Sequence, residues 1–121
     1  MARENLLSNR IKGIGFALRG AWLLIRTESS IQIQIVIAVV MTVAGFVFNL
    51  SVIEWIVQIL AISLVLGVEG INTAIEKMSD FVHPEFNEKI GFIKDVSAGA
   101  VMFVSIGATI IGLLIYLPKI I

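Results

Sequence analysis

Cysteine is absent from this 121-residue chain, and histidine occurs once, as His83. Without thiols there is no disulfide framework, no thiolate metal site and no cysteine nucleophile. A single imidazole cannot assemble a zinc centre. Charge is scarce as well: Asp, Glu, Lys and Arg make up 15% of the residues, against about 25% in soluble domains. Nine basic residues balance nine acidic ones, so no bulk electrostatic case for nucleic acid exists. Phosphate-cradling G-x-x-x-x-G-K-[ST] loops and the H-R-D and D-F-G elements of protein kinases are missing. Gly13-Ile14-Gly15 lacks the third glycine of a dinucleotide turn and follows no strand. What the chain holds in excess is apolar: 58% of its residues are hydrophobic, and the mean hydropathy is +0.99. That excludes a soluble globular domain, a disordered chain and a collagen-like one. The length allows one domain, 1–121, and the composition makes it an all-α integral membrane protein.

Two stretches, 29–53 and 96–118, carry no charge at all. Each exceeds the roughly 20 residues that cross a bilayer core as a helix. A third candidate, 52–71, has Glu54 near its start and Glu69 near its end, giving three spans in all. Ahead of them, 5–25 reads as an amphipathic helix. Leu7, Ile11, Ile14, Leu18, Trp22 and Ile25 recur at three- and four-residue steps, and Arg10, Lys12, Arg19 and Arg26 supply cationic heads. Such a helix lies at the membrane surface. Arg3, Arg10, Lys12, Arg19 and Arg26 precede the first span, and Lys77, Lys89 and Lys94 lie between the second and third. The link near 49–52 has no basic residue, and only Lys119 sits at the far end. The positive-inside rule then puts the N-terminus and the second link in the cytoplasm. The His83-Pro84 pair predicts that the second span's helix stops near Val82, followed by a connection over 81–91.

The inner end of the second span is the chemically loaded part. Glu69, Asn72, Glu76 and Asp80 are spaced by three, four and four residues, so they share one helix face. Glu69 and Glu76 stand about 10 Å apart along the axis. Intramembrane carboxylates are costly, about 2.5–3.5 kcal/mol on insertion scales, and mark ion paths, proton relays or catalytic sites. The bland alternative is a helix leaving the membrane with its last turns solvated. Asp95 reads as a first-turn residue favoured by the dipole of the last helix. Glu28 reads, taken alone, as a boundary charge paired with Arg26. Ala98, Ser105 and Gly112, seven residues apart with Ala108 beside them, read as a packing seam. Together Glu28, Glu69, Glu76 and Asp95, with Lys12 and Lys94, suit a magnesium-nucleotide at a membrane surface. Magnesium takes one or two carboxylates plus substrate phosphates, and lysines hold phosphate as point charges.

The run from Glu69 through Asn72 to Glu76, then Asp80, then Lys94-Asp95 within 93–101, resembles the small bacterial integral-membrane lipid kinases. These form the prokaryotic diacylglycerol kinase and undecaprenol kinase family, and the resemblance covers essentially the whole chain. It implies transfer of the ATP γ-phosphate, with magnesium, to the hydroxyl of a membrane lipid alcohol. Diacylglycerol is the favoured alcohol and undecaprenol the alternative. It further implies a homotrimer with shared active sites in the bacterial cytoplasmic (inner) membrane, the sites facing the cytoplasm. On matching positions, Glu69 is the catalytic base and Glu28 and Glu76 are magnesium ligands. Arg10, Lys12, Phe16, Glu28, Glu76, Glu85, Asn87, Lys94 and Asp95 meet the nucleotide. Asn72 and Ala98 support the site or touch lipid. The chain departs from many relatives at 29–32, which is uncharged, at Asn87, where some have histidine, and at Phe16, where some have tyrosine. A small proton or ion transporter would use Glu69 and Glu76 as relay groups, yet 29–53 and 96–118 hold no ionisable group to continue a path. A purely structural assembly protein would leave Glu28, Glu69, Glu76 and Lys94-Asp95 without a task.

Overall fold

A computed structural model describes residues 2–121, with side chains from residue 5 onward. The side chain of Arg3, one of the basic residues before the first span, lies outside the described residues. The described chain is all helical: α1 (Ala2–Thr27), α2 (Ser29–Val47), α3 (Val52–Val82) and α4 (Glu88–Ile120). The last three are long and apolar enough to cross a membrane. At 1.5 Å per residue, the 31 residues of α3 extend about 46 Å, well beyond the roughly 30 Å hydrocarbon core.

Each joint is made by local polar chemistry. Between α1 and α2 the helix breaks at Glu28 alone, in extended conformation at φ −105° and ψ 116°. Its side chain does not cap α2. Instead Gln32 Nε2 donates back to the carbonyls of Ile25 (3.0 Å) and Arg26 (3.2 Å), two of the orphan acceptors at the end of α1. Between α2 and α3, Asn49 adopts φ 53°, a left-handed conformation that asparagine tolerates. Leu50 N donates to Gly45 O at 3.1 Å, the long bond of a Schellman turn. Ser51 then opens α3 with a capping box: Glu54 N donates to Ser51 Oγ (3.2 Å) and Ser51 N to Glu54 Oε1 (3.0 Å). Lys119, at the end of α4, meets the same carboxylate at 3.1 Å.

The third joint is shorter than the sequence implies. The helix stops at Val82 as expected before His83-Pro84, but the expected connection over 81–91 is confined to residues 83–87. Asn87 Oδ1 accepts from Lys89 N (2.9 Å) and Ile90 N (3.4 Å). Asparagine is a strong N-cap, and α4 starts directly after it. Asp95 therefore sits about two turns inside α4, not in its first turn, and the dipole argument for it falls away.

Helix α3 is the common partner, packing most extensively on α4 and next on α2. At the end nearest the α2–α3 joint Leu50, Ile115 and Tyr116 form the buried cluster, with Met41, Ala44, Trp55 and Ile111 around it. Trp55 lies across Gly45 and contacts Phe46 with ring centroids 4.9 Å apart. Polar groups bind all three spans here. Tyr116 Oη donates to Gln58 Oε1 (2.6 Å), and Gln58 Nε2 donates to the Met41 carbonyl (3.0 Å). The stripe of Ser105, Ala108 and Gly112 is not a closed seam. All three line an open groove of about 550 Å³ between α2, α3 and α4, while Ala98 is exposed outside it. Small residues permit close approach of helices but do not by themselves supply the neighbour that fills the space.

A Cβ on Gly45 would stand 2.8 Å from Trp55 Cζ2 and 3.0 Å from Cζ3, whereas one on Gly107 would meet nothing. Gly45→Ala should lower the unfolding midpoint in detergent micelles, because the indole cannot withdraw without losing its own packing. Gly107→Ala should leave the midpoint unchanged or raise it, since alanine is the better helix former by about 1 kcal/mol. Equal effects would contradict the close packing of Trp55 on α2.

Candidate active site

The polar face of α3 emerges from the apolar layer in steps. Measured from Val52, Glu69 lies about 25 Å along the axis, Asn72 about 30 Å, Glu76 about 36 Å and Asp80 about 42 Å. Counted from Val52, Glu69 thus falls near one edge of a hydrocarbon core of about 30 Å, and Glu76 and Asp80 beyond it. Burial follows the same order. Glu69 is 7% exposed, Asn72 half-buried, and Glu76 and Asp80 exposed.

Two of the four are held by α4. Ser97 Oγ donates to Asn72 Oδ1 at 2.7 Å. Lys94 Nζ donates to Asp80 Oδ1 at 2.6 Å. Because α3 and α4 run antiparallel, Asp80 beside Lys94, Asn72 beside Ser97 and Glu54 beside Lys119 are successive rungs of one register. Glu28 is brought to the same region. Its carboxylate is 3.8 Å from Lys77, the residue after Glu76. The expected pairing of Glu28 with Arg26 is not the one formed, because Arg26 closes α1 while the chain turns at Glu28 toward α3.

Glu69 is treated differently. Among the described residues its carboxylate has neither a hydrogen bond nor an ion pair; only its backbone carbonyl is engaged, by Thr73 Oγ1 at 3.2 Å. Beside it, Gly70 lets the end of α1 come close: a Cβ there would lie 3.0 Å from Leu24 Cδ1. The α1–α2 corner, and Glu28 with it, thus lies against the Glu69 end of α3.

Other residues that the sequence singles out are not drawn into this cluster within one chain. Arg10, Lys12 and Phe16 are exposed on α1, and the two cations have no ion pair or hydrogen bond among the described residues. Glu85 is exposed on the connection, where its backbone carbonyl lies 2.7 Å from His83 Nδ1. Asn87 uses its side-chain oxygen as the helix cap. Asp95 and Ala98 are exposed on α4. No group of three or more Asp, Glu or His side chains suited to a metal ion gathers among the described residues. The sequence does not announce the partners: nothing in the pattern marks Ser97 as a ligand of Asn72, and Lys77 stands out only as a topogenic charge. Gln58 and Tyr116 also went unremarked, although an amide in mid-span and the chain's only tyrosine are a signal that can be read.

Comparison with known proteins bears on this arrangement directly. The family model for prokaryotic diacylglycerol kinase matches residues 15–116. The chain is 37% identical over 116 residues to undecaprenol kinase of Bacillus subtilis, covering 96% of this chain and 94% of that protein. It is 30% identical over 111 residues to diacylglycerol kinase of Synechocystis, covering 91% of this chain but 63% of that longer protein. A buried carboxylate near one end of three helices long and apolar enough to cross a membrane, and a match across nearly the whole length, lead to one conclusion: the chain belongs to the prokaryotic diacylglycerol kinase family and is a membrane lipid kinase.

Proposed function

We propose that the chain transfers the γ-phosphate of ATP to the hydroxyl of a membrane lipid alcohol at the inner end of α3, with Glu69 as general base. The observation that carries this reading is the state of Glu69. It is buried and unpartnered among the described residues, while Glu28, Glu54 and Asp80 each face a lysine. A proton acceptor needs its lone pairs free, and the Glu69 oxygens, though the residue is 7% exposed, are neither bonded within the chain nor sealed off from the surface. In the step, the lipid O–H gives its proton to Glu69, its oxygen bonds to the γ-phosphorus, and the bridging P–O bond to the β-phosphate breaks to release ADP. At this depth the alcohol reacts without leaving the interface.

Glu28 and Glu76 would hold the magnesium. Glu28 is free of capping duty, Glu76 is exposed, and the two flank Lys77. Two hard carboxylates, completed by phosphate oxygens and water, are the donor set that magnesium takes on a nucleotide. When bound, the ion neutralises charge on the β- and γ-phosphates. Lys94 would exchange Asp80 for a phosphate oxygen, with Asp95 one residue further on. Arg10, Lys12, Phe16, Glu85 and Asn87 fall to the nucleotide by the family resemblance, and Asn72, fixed by Ser97, supports the base. Undecaprenol is the alcohol we place first, because the undecaprenol kinase relative matches at higher identity over nearly its full length. Diacylglycerol is the second reading, supported by the family description and the Synechocystis relative.

Purified protein in micelles, supplied with undecaprenol and with diacylglycerol in turn, tests both the base and the lipid. Glu69→Gln should reduce kcat about a hundredfold or more and leave nucleotide binding intact, because proton acceptance belongs to the chemical step. Glu28→Gln and Glu76→Gln should weaken nucleotide binding and recover in part with added magnesium. Near wild-type turnover by Glu69→Gln would refute the assignment of the base. Greater kcat/KM on diacylglycerol would reverse the order of the two lipids.

The setting is the bacterial cytoplasmic membrane, with α1 on its inner surface and Leu7, Ile11, Ile14, Leu18 and Trp22, all exposed in the single chain, turned to lipid. Reporter fusions should place the N-terminus inside and the C-terminus outside. Finding both termini on one side would break the three-span topology.

The assembly is a homotrimer with shared sites, supported by the large apolar surface that one chain leaves uncovered. Mixing inactive Glu69→Gln and Glu76→Gln subunits should restore part of the activity if those two residues act from different copies. Absence of rescue in mixtures shown to co-assemble would place them in one copy.

A further inference from the structure

We infer that Ser97 is a positioning residue for phosphoryl transfer, holding the Asn72 carboxamide so that its two N–H donors are left for the transferring phosphoryl group; the inference rests on the lipid-kinase reading above. Hydroxyls inside the helices of this protein have a habitual partner. All four threonines, Thr27, Thr42, Thr73 and Thr109, donate to the carbonyl four residues back in their own helix. That bond is open to any serine or threonine in a helix interior. Ser97 forgoes it. Its Oγ, on a residue only 7% exposed, donates across to Asn72 Oδ1 on α3 at 2.7 Å.

A carboxamide has an acceptor end and a donor end. With Oδ1 engaged by Ser97, the end left over is Nδ2, which has no partner among the described residues. The cleft that Asn72 and Ser97 share with Val68, Ile75, Val96 and Ala100 has an apolar wall, so neither end of the amide is spent there. Depth along the helices shows what Nδ2 stands beside. Glu69 lies one way, about 4.5 Å along α3 from Asn72. Glu76 lies the other way, at about 6 Å. Lys94, three residues from Ser97 on the antiparallel α4, falls about 4.5 Å to that same side, where it meets Asp80. Asn72 therefore stands between the proposed proton acceptor and the groups proposed to hold the nucleotide phosphates. The γ-phosphorus passes from the second to the first across that level. Charge in such a transfer spreads over three equatorial oxygens, and N–H donors fixed in place stabilise it without reorganising. The reversed amide would turn Oδ1, a lone-pair acceptor, toward those oxygens and the Glu69 carboxylate. Ser97 acts through Asn72 and touches no reactant itself.

The test follows phosphoryl transfer from ATP in micelles, on undecaprenol and on diacylglycerol. Single-turnover measurements resolve slow variants, and nucleotide-binding titrations, unfolding midpoints and sizing accompany them. Ser97→Ala should slow the transfer about tenfold, because the donors lose their fixed direction. Ser97→Cys keeps the size and a weak donor, and its rate should fall between the two. Both variants should leave the dissociation constant of magnesium-ATP and the KM for the lipid within about twofold, since the loss belongs to the chemical step. Thr42→Ala removes an exposed hydroxyl that bonds within its own helix and should change nothing. The decisive comparison is made in an Asn72→Ala background. There Ser97→Ala should slow transfer by less than about twofold further, because a residue that works through Asn72 has nothing left to position. Equal slowing in both backgrounds would overturn the assignment and leave Ser97 as helix packing alone. Unchanged transfer by Ser97→Ala would overturn it too, as would slowing that tracks a lowered unfolding midpoint or a lost oligomer in both Ser97 variants. An unmutated protein that phosphorylates neither lipid would instead overturn the lipid-kinase reading, and the task given to Ser97 with it.

Discussion

Helix α3 has to keep a row of polar side chains satisfied along one apolar rod, and the rest of the structure is arranged around that requirement. Within the hydrocarbon layer no water is available to complete a hydrogen bond, so Gln58 and Asn72 must find partners on neighbouring helices, and Glu54 and Asp80 at the two ends find them there as well. Met41 and Tyr116 serve Gln58, Ser97 serves Asn72, Lys94 serves Asp80 and Lys119 serves Glu54. Each such link is individually modest: hydrogen bonds between membrane helices average about 0.6 kcal/mol. Their collective effect is register. A shift of α4 by one turn would separate all four rungs on that side at once.

Fixed register matters because it leaves a buried carboxylate unpaired. Glu69 lies on the stripe that continues from Gln58 through Ala61 and Val65, yet no described side chain pairs with it. Helix α3 thus carries one buried carboxylate without a side-chain partner among the described residues, toward the end of its apolar stretch. Its neighbour Gly70 admits Leu24, and so draws the corner at Glu28 to the same level. The break at Glu28 and the contact of Leu24 with α3 beside Gly70 therefore place two acidic positions from separate helices at the same end of α3.

How much of this could be read in the sequence divides along a physical line. Features set by local chemistry were legible: the charge-free runs, the stop before His83-Pro84, and the polar face at steps of three and four. Features set by which helix lies beside which were not. Glu28 sits two residues from Arg26 in the chain, but the break between α1 and α2 turns it to Lys77 instead. Asp95 looked terminal because 88–95 is charged, but Asn87 caps the helix ahead of it and the charges became helix. The Ser105–Gly112 spacing announced small side chains, and only the packing showed that nothing in the single chain fills the space they leave.

The position of Glu69 follows from two opposed demands. A carboxylate in mid-bilayer costs about 2.5–3.5 kcal/mol on insertion scales, and one in open water is too well solvated to discriminate between a lipid hydroxyl and solvent. One turn further out along α3 the wall is Val65, and one turn further in, Asn72 is already half-buried and bonded to Ser97. Between them lies the narrow band in which a carboxylate is shielded from water and still within reach of an interfacial hydroxyl. Moving it by a turn in either direction loses one of those properties, which is the physical ground for proposing Glu69, and not Glu76 or Asp80, as the base, while Asp80 and Glu54 help to hold the helices in line.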